Sequence, residues 1–138
     1  MGTRSRIAKE DTTGKVTMIY CHWDGYLENN GKLLLENYQD EKKIDQLLAL
    51  GDISSLGSKL GKKHDFDARV KDTVTAYGRD RGEKGTEAKV WDALVAIPED
   101  YYEEYFYLRR DGKWFYSSHG TFTELRELTA KAVKGTEE

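Results

Sequence analysis

Apolar and polar residues alternate at the start of the chain, and the alternation carries a register. Val16 to Trp23 is β-branched and aromatic, and Thr3 to Lys9 alternates more loosely. Asp11-Thr12-Thr13-Gly14 between them is turn chemistry, so the opening reads as a β-hairpin. A three-residue loop, Thr12-Thr13-Gly14, with Gly14 left-handed, pairs Asp11 with Lys15. Ile7, Ile19, Cys21 and Trp23 then share one face, while Arg4, Arg6, Tyr20, His22 and Asp24 share the other. A two-residue loop would mix Ile7 with Tyr20 and His22, because a one-residue slip turns every side chain over. The first register separates an apolar face from a polar one and is the expected one.

Past Gly25-Tyr26 the period changes. Leu34 and Tyr38 lie one helical turn apart, with Asn29 or Asn30 as a cap for a short helix. Asp40 is a good N-cap for Glu41 to Leu50, where Ile44, Leu47 and Leu48 form a stripe that Gly51 stops. Gly51 to Gly57 reads as a second turn leading into a short helical piece through Leu60. Val70, Val74 and Ala76, with Thr73, Thr75 and Tyr77, favour a middle strand. The glycine-rich, charged run from Gly78 to Gly85 reads as a mobile loop. From Thr86, the residues Val90, Trp91, Leu94 and Val95 recur at helical spacing until Pro98 ends the segment. Tyr101 to Ser118 is a hairpin about Asp111-Gly112, a type I′ turn, with Phe106, Leu108 and Phe115 on one face. Tyr105, Tyr107, Arg109, Trp114 and Tyr116 take its other face, as a second core layer or as an aromatic platform. Thr121-Phe122-Thr123-Glu124 is a capping box for a terminal helix with Leu125, Leu128 and Ala132 on one stripe.

These elements predict an α+β fold: an antiparallel sheet built from an N-terminal and a C-terminal hairpin plus a middle strand, packed against three to four helices. With 138 residues and one proline, residues 1–138 read as a single domain. The one cysteine, Cys21, excludes an intrachain disulfide or a multi-cysteine zinc site and suits a reducing cytosol. No apolar run approaches the roughly 20 residues needed to span a bilayer, and no secretory signal is expected at the N-terminus. A net charge of −3 with 34% charged residues argues against non-specific nucleic-acid binding.

Tyr20 to Tyr26 is the densest window of candidate chemistry. Cys21 and His22 are neighbours on a strand and point to opposite faces, so they form no nucleophile–base pair, and Cys21 reads as a small buried hydrophobe. Tyr20, His22 and Asp24 share a face with Arg4 and Arg6, a set suited to phosphate or carboxylate ligands. A cross-strand ion pair of arginine with Asp24 would explain the same residues without a ligand. Tyr77 to Gly85 offers Arg79 and Arg81 and free backbone amides, but it is neither a Walker loop nor a dinucleotide fingerprint. His22, His64 and His119 have no paired spacing, so neither a metal centre nor a cofactor is expected.

Thr3-Arg4-Ser5-Arg6-Ile7, Tyr20-Cys21-His22-Trp23-Asp24-Gly25-Tyr26, Gly51 to Gly57 and Ala76-Tyr77-Gly78-Arg79-Asp80-Arg81-Gly82-Glu83 together resemble a family of small proteins encoded by bacteriophages, prophages and other mobile elements. The resemblance spans nearly the whole chain and implies a phage accessory protein in the bacterial host cytoplasm, of a kind that often counters host defence. It carries over no catalytic residue. The leading expectation is a non-enzymatic protein that sequesters a phosphorylated, nucleotide-like molecule, with ligand contacts from Arg4, Arg6, Tyr20, His22, Asp24, Tyr26, Arg79 and Arg81. In that reading Arg4 and Arg6 hold phosphate, His22 and Asp24 read sugar or base, and Tyr26 stacks, while Arg79 and Arg81 close from the loop. A small domain of this kind also gains enclosure by forming a homo-oligomer around its ligand. The alternatives are a protein-binding inhibitor of a host defence nuclease or other defence protein, and a small hydrolase or phosphodiesterase with His22 as general base and Asp24 orienting it.

Overall fold

A computed structural model describes residues 3–98, 101, 103–118 and 125–133. The expected α+β fold is present, and the sheet is mixed rather than purely antiparallel. Strands β1 (Ser5–Glu10) and β2 (Val16–Cys21) form the opening hairpin in the expected register, with Ile7 opposite Ile19 and Arg6 opposite Tyr20. The Asp11 carboxylate fixes its turn by accepting from the amides of Thr13 and Lys15. A π-helical turn, Leu27–Gly31, runs into α1 (Lys32–Asn37), and α2 (Glu41–Ala49) follows. The short strands β3 (Ile53–Ser55) and β4 (Thr75–Ala76) lead to α3 (Tyr77–Arg81) and β5 (Lys89–Trp91). The second hairpin is β6 (Tyr105–Arg110) and β7 (Lys113–Ser117), after which come β8 (Arg126–Glu127) and α4 (Ala130–Val133).

The strand order is β4-β3-β2-β1-β6-β7-β8, with β5 joined to β2. The two hairpins lie side by side through a parallel β1–β6 pair, and β2–β3 is also parallel. Asp111 at φ 53° and Gly112 at φ 75° give the type I′ turn its two left-handed residues. That turn sets the expected register, Tyr107 opposite Tyr116 and Leu108 opposite Phe115.

Both faces of the sheet are buried along most of their length. On the first, Ile7, Ile19, Cys21, Tyr107, Trp114 and Tyr116 pack with Leu34, Tyr38, Ile44 and Leu47, so the tyrosine face of the second hairpin is core. The Asp40 side chain caps α2 at the Lys42 amide, and Gly51 at φ 78° stops the helix. On the second face, Ala8, Val16, Met18, Phe106 and Leu108 lie with Ile97, and Trp91, Leu94, Tyr101 and Leu125 are packed against them.

Several expected elements take another form. Ile53–Ser55, read as part of a turn, is a strand because the amides of His22 and Trp23 extend β2 by donating to Ile53 and Ser54 carbonyls. This pairing is non-local and leaves no periodic trace. Lys89–Trp91, read as helix, pairs with the exposed edge of β2; Val95 is 94% exposed, so its helical spacing was no core stripe. The middle strand shrinks to Thr75–Ala76, and Tyr77 opens α3 instead. Gly78 to Gly85, read as a mobile loop, begins inside that helix, which Gly82 closes at φ 72°. Asn29 and Asn30 do not cap α1: the helical segment starts earlier, and Asn30 is buried. Thr121 to Glu124 lies outside the described residues; beyond it the chain is a short strand and α4, with Leu128 and Ala132 buried.

Candidate functional site

Within Tyr20 to Tyr26, Cys21 and Gly25 belong to the fold. Cys21 is fully buried, and its thiol accepts a hydrogen bond from Asn30 Nδ2 (3.3 Å), which also reaches Ser5 Oγ (3.2 Å). Burial pushes that thiol up to about 11, beyond any role as a thiolate at neutral pH. Gly25 passes so close to β1 that a Cβ would stand 2.6 Å from that of Ser5, and its carbonyl accepts from the Tyr107 hydroxyl (2.7 Å). The regular strand ends at Cys21, and after the two further backbone bonds of His22 and Trp23 to β3 the chain turns away at Asp24. Trp23, expected in the core, is therefore 37% exposed, with its ring edge-on to His22 at 4.7 Å.

The opposite face of the same strand carries the candidate site. Tyr20 Oη and His22 Nδ1 share a 2.8 Å hydrogen bond. When the hydroxyl donates, Nε2 holds the ring hydrogen and remains a donor for a ligand. His22 sits below the ordinary histidine value because of its burial, and then because of the Arg4 and Arg69 guanidiniums, so it is neutral at pH 7. Tyr20 is raised by burial and keeps its proton. Arg4 approaches from the β1 side. From the β3 side comes Arg69, whose Nη2 and Nη1 donate to Ser54 Oγ (2.8 Å) and Ser55 Oγ (3.1 Å). Ser54 also hydrogen-bonds Tyr77, itself stacked on Phe66 at 5.5 Å. Arg81 lies over both rings, at 4.6 Å from Phe66 and 5.0 Å from Tyr77.

The arginines divide into two kinds. Arg6 is sandwiched between the rings of Tyr20 (5.1 Å) and Tyr101 (4.4 Å) and paired with Glu103 at 3.2 Å. Arg79 donates to the carbonyls of Leu60 (2.8 Å) and Val74 (2.6 Å) and to Asp80 (2.9 Å). Arg81 pairs with Glu83. Arg4 and Arg69, both exposed, form no ion pair among the described residues. Arg69 was invisible to sequence reasoning, since it stands alone in a polar stretch and only the fold brings it beside His22.

Asp24 and Tyr26 lie apart from this arrangement. Asp24 adopts φ 57° beyond the strand end, where its carbonyl accepts from Asn29, and among the described residues it pairs with neither Arg4 nor Arg6. Tyr26 lines a separate groove of about 440 Å³ with Thr3, Glu104, Tyr105 and Ser118. A groove of about 820 Å³ between the two hairpin turns, lined by Glu10, Asp11, Glu41, Arg110 and Asp111 among others, lies at the opposite end of the β1–β2 hairpin from His22 and holds paired charges such as Arg110 with Glu10. Among the described residues no cluster of histidine, cysteine and carboxylate side chains could hold a metal ion, and no helix is long and apolar enough to cross a membrane. Set against protein-family models, curated proteins and solved structures, the chain matches none of them.

Proposed function

We propose that this chain captures an anionic, nucleotide-like small molecule and holds it without turnover. The observation that carries the reading is the pair Arg4 and Arg69. Two guanidiniums with no carboxylate partner among the described residues flank a neutral histidine on a polar, aromatic-lined part of the sheet face. Guanidiniums bind phosphate in bidentate fashion, His22 adds a neutral donor, and Trp23, Tyr20 and Tyr77 supply rings for a base or sugar. Capture is favoured over hydrolysis because Tyr20, not Asp24, holds Nδ1 of His22, and the thiol of Cys21 points into the core. The setting implied by the motifs, a phage or mobile-element protein that removes a host defence signal in the bacterial cytoplasm, fits capture without chemistry. A second reading, an inhibitor that binds a defence protein, draws on Val90 in β5 and Val95 in the helical turn after it, which are 55% and 94% exposed.

The test is a thermal-shift panel of nucleotides, cyclic nucleotides and ADP-ribose derivatives, followed by heating and mass spectrometry of what is released. A ligand held at about a hundred times its Kd adds about 2.7 kcal/mol and raises the melting temperature by about 5–10 °C. The reading predicts such a shift with the ligand recovered intact. Altered ligand would make the protein an enzyme, and no shift across the panel would transfer the proposal to a protein partner.

A further inference from the structure

Between Ser55 and Thr75 the chain forms no helix and no strand, only an isolated bridge between Lys59 and Thr73. The amide of Lys59 donates to Asp72 O, and that of Val74 to Lys59 O, so the two ends of the excursion meet. The loop between them carries Phe66 and Arg69 to the candidate site. Its own internal hydrogen bonds are few and local, among them His64 Nδ1 with Lys62 O, Ala68 to Asp65, Asp67 to the Asp65 carboxylate and Thr73 to Val70. A loop of this kind keeps one position only where something outside it supplies the fastening.

The tip of the loop is held by the Arg69 bonds to Ser54 and Ser55 and by the Phe66–Tyr77 stack, and its two ends are fastened by a buried pair on α3. The Asp80 side chain is fully buried; Oδ1 accepts from the His64 amide (3.0 Å) and Oδ2 from the Ala76 amide (2.8 Å). Arg79 binds both carboxylate oxygens (2.9 and 3.1 Å) and reaches the carbonyls of Leu60 and Val74. The pair thus ties the segment entering the loop, residues 60–64, to the one leaving it, residues 74–76. His64 adds one bond across the same junction, Nε2 to Thr75 Oγ1 (3.2 Å).

We propose that Arg79 and Asp80 are positioning residues: they clamp the two ends of the 61–73 loop and thereby place the Arg69 guanidinium beside His22. The functional meaning rests on the anion-site reading above, whereas the geometric statement can be tested without any ligand. The probe is the His22 imidazole, which Arg4 and Arg69 both bias and against which Tyr20 and Trp23 also lie. Arg4 is retained in every variant.

The experiment titrates His22 by NMR and follows amide exchange in the full chain, for the wild type, Arg69→Ala, Asp80→Asn and Arg79→Lys. Removing a nearby positive charge raises the His22 pKa, so Arg69→Ala moves it upward. The proposal expects Asp80→Asn and Arg79→Lys to move it upward too, and Asp80→Asn to add nothing in an Arg69→Ala background. Exchange at residues 62–73 should rise by about tenfold or more while α2 is unchanged. Arg79→Lys keeps a charge but cannot reach the same acceptors, and it serves if Asp80→Asn does not fold. An unmoved His22 in both clamp variants would overturn the proposal, as would exchange that rises equally in α2. Absence of any shift across the nucleotide panel would sink the ligand reading alone and leave this result intact.

Discussion

Strand β2 crosses the second sheet face from end to end, and its two ends are built to opposite specifications. At one end Val16 and Met18 are fully buried with Ala8, Phe106 and Leu108, and Trp91, Leu94 and Tyr101 pack over them. Two and four residues beyond Met18, at the same side-chain period, Tyr20 and His22 are only partly buried and face Arg4 and Arg69. The difference lies in what covers the strand. The segment bearing β5 and the short helical turn at Leu94–Ala96 seals the first end, while a polar loop bearing one arginine leans over the second. One face of one strand thereby supplies both stability and a site, and substitutions at its two ends should separate the two properties.

The largest effect is expected at the sealed end. Met18→Ala deletes a fully buried side chain and should cost about 2–5 kcal/mol, read by chemical denaturation. At the open end Arg69→Ala should lower affinity for the panel's tightest nucleotide about ten- to a hundredfold, the weight of a hydrogen bond to a charged group. Stability there should fall by about 1 kcal/mol, from the lost bonds to Ser54 and Ser55, and so by less than at Met18. A Met18 variant that left stability intact would break the comparison from one side, and a strongly destabilised Arg69 variant from the other.

The clamp beneath the loop should show its own pH dependence. Burial pushes the Asp80 carboxyl up, but the Arg79 guanidinium and then the Ala76 and His64 amides outweigh it and leave it below the ordinary 3.8. A carboxyl depressed in the folded state stabilises above its unfolded pKa, and that contribution fades as pH falls through the folded value. The stability gap between wild type and Asp80→Asn should therefore hold at neutral pH and close in the acid range below about 3.8. A gap that persisted unchanged into that range would mean that Asp80 titrates normally. The smallest effect should come from Tyr20→Phe, which removes one neutral hydrogen bond to His22 and should weaken binding about two- to tenfold.

Local chemistry made much of this legible. The turn at Asp11 to Gly14 and the Asp111-Gly112 pair set the two hairpin registers, and with them the faces of Tyr20, His22, Tyr107 and Trp114. Asp40 and Gly51 bounded α2 for the same reason, since a cap is a contact within a few residues of its helix. What could not be read was decided by partners distant in sequence. Ile53 became a strand by meeting Cys21, and Lys89 to Trp91 by meeting Val16 to Met18. Within the site, Arg6 and Arg79 matched the chemistry of phosphate ligands but met Glu103, Tyr101 and Asp80 instead. Arg69 lacked any motif and yet reached the site, because only the folded loop sets it over Ser54 and Ser55.

The most direct measurement is calorimetric titration of the panel's tightest nucleotide into the wild type and into the Arg4→Ala/Arg69→Ala double variant, at one fixed salt concentration. Saturable binding by the wild type is expected, with a loss of at least about a hundredfold in the double variant, whose melting temperature falls by only about 2–5 °C. Equal affinity in the two proteins would contradict this expectation, because the ligand would then be held without the two guanidiniums that define the site.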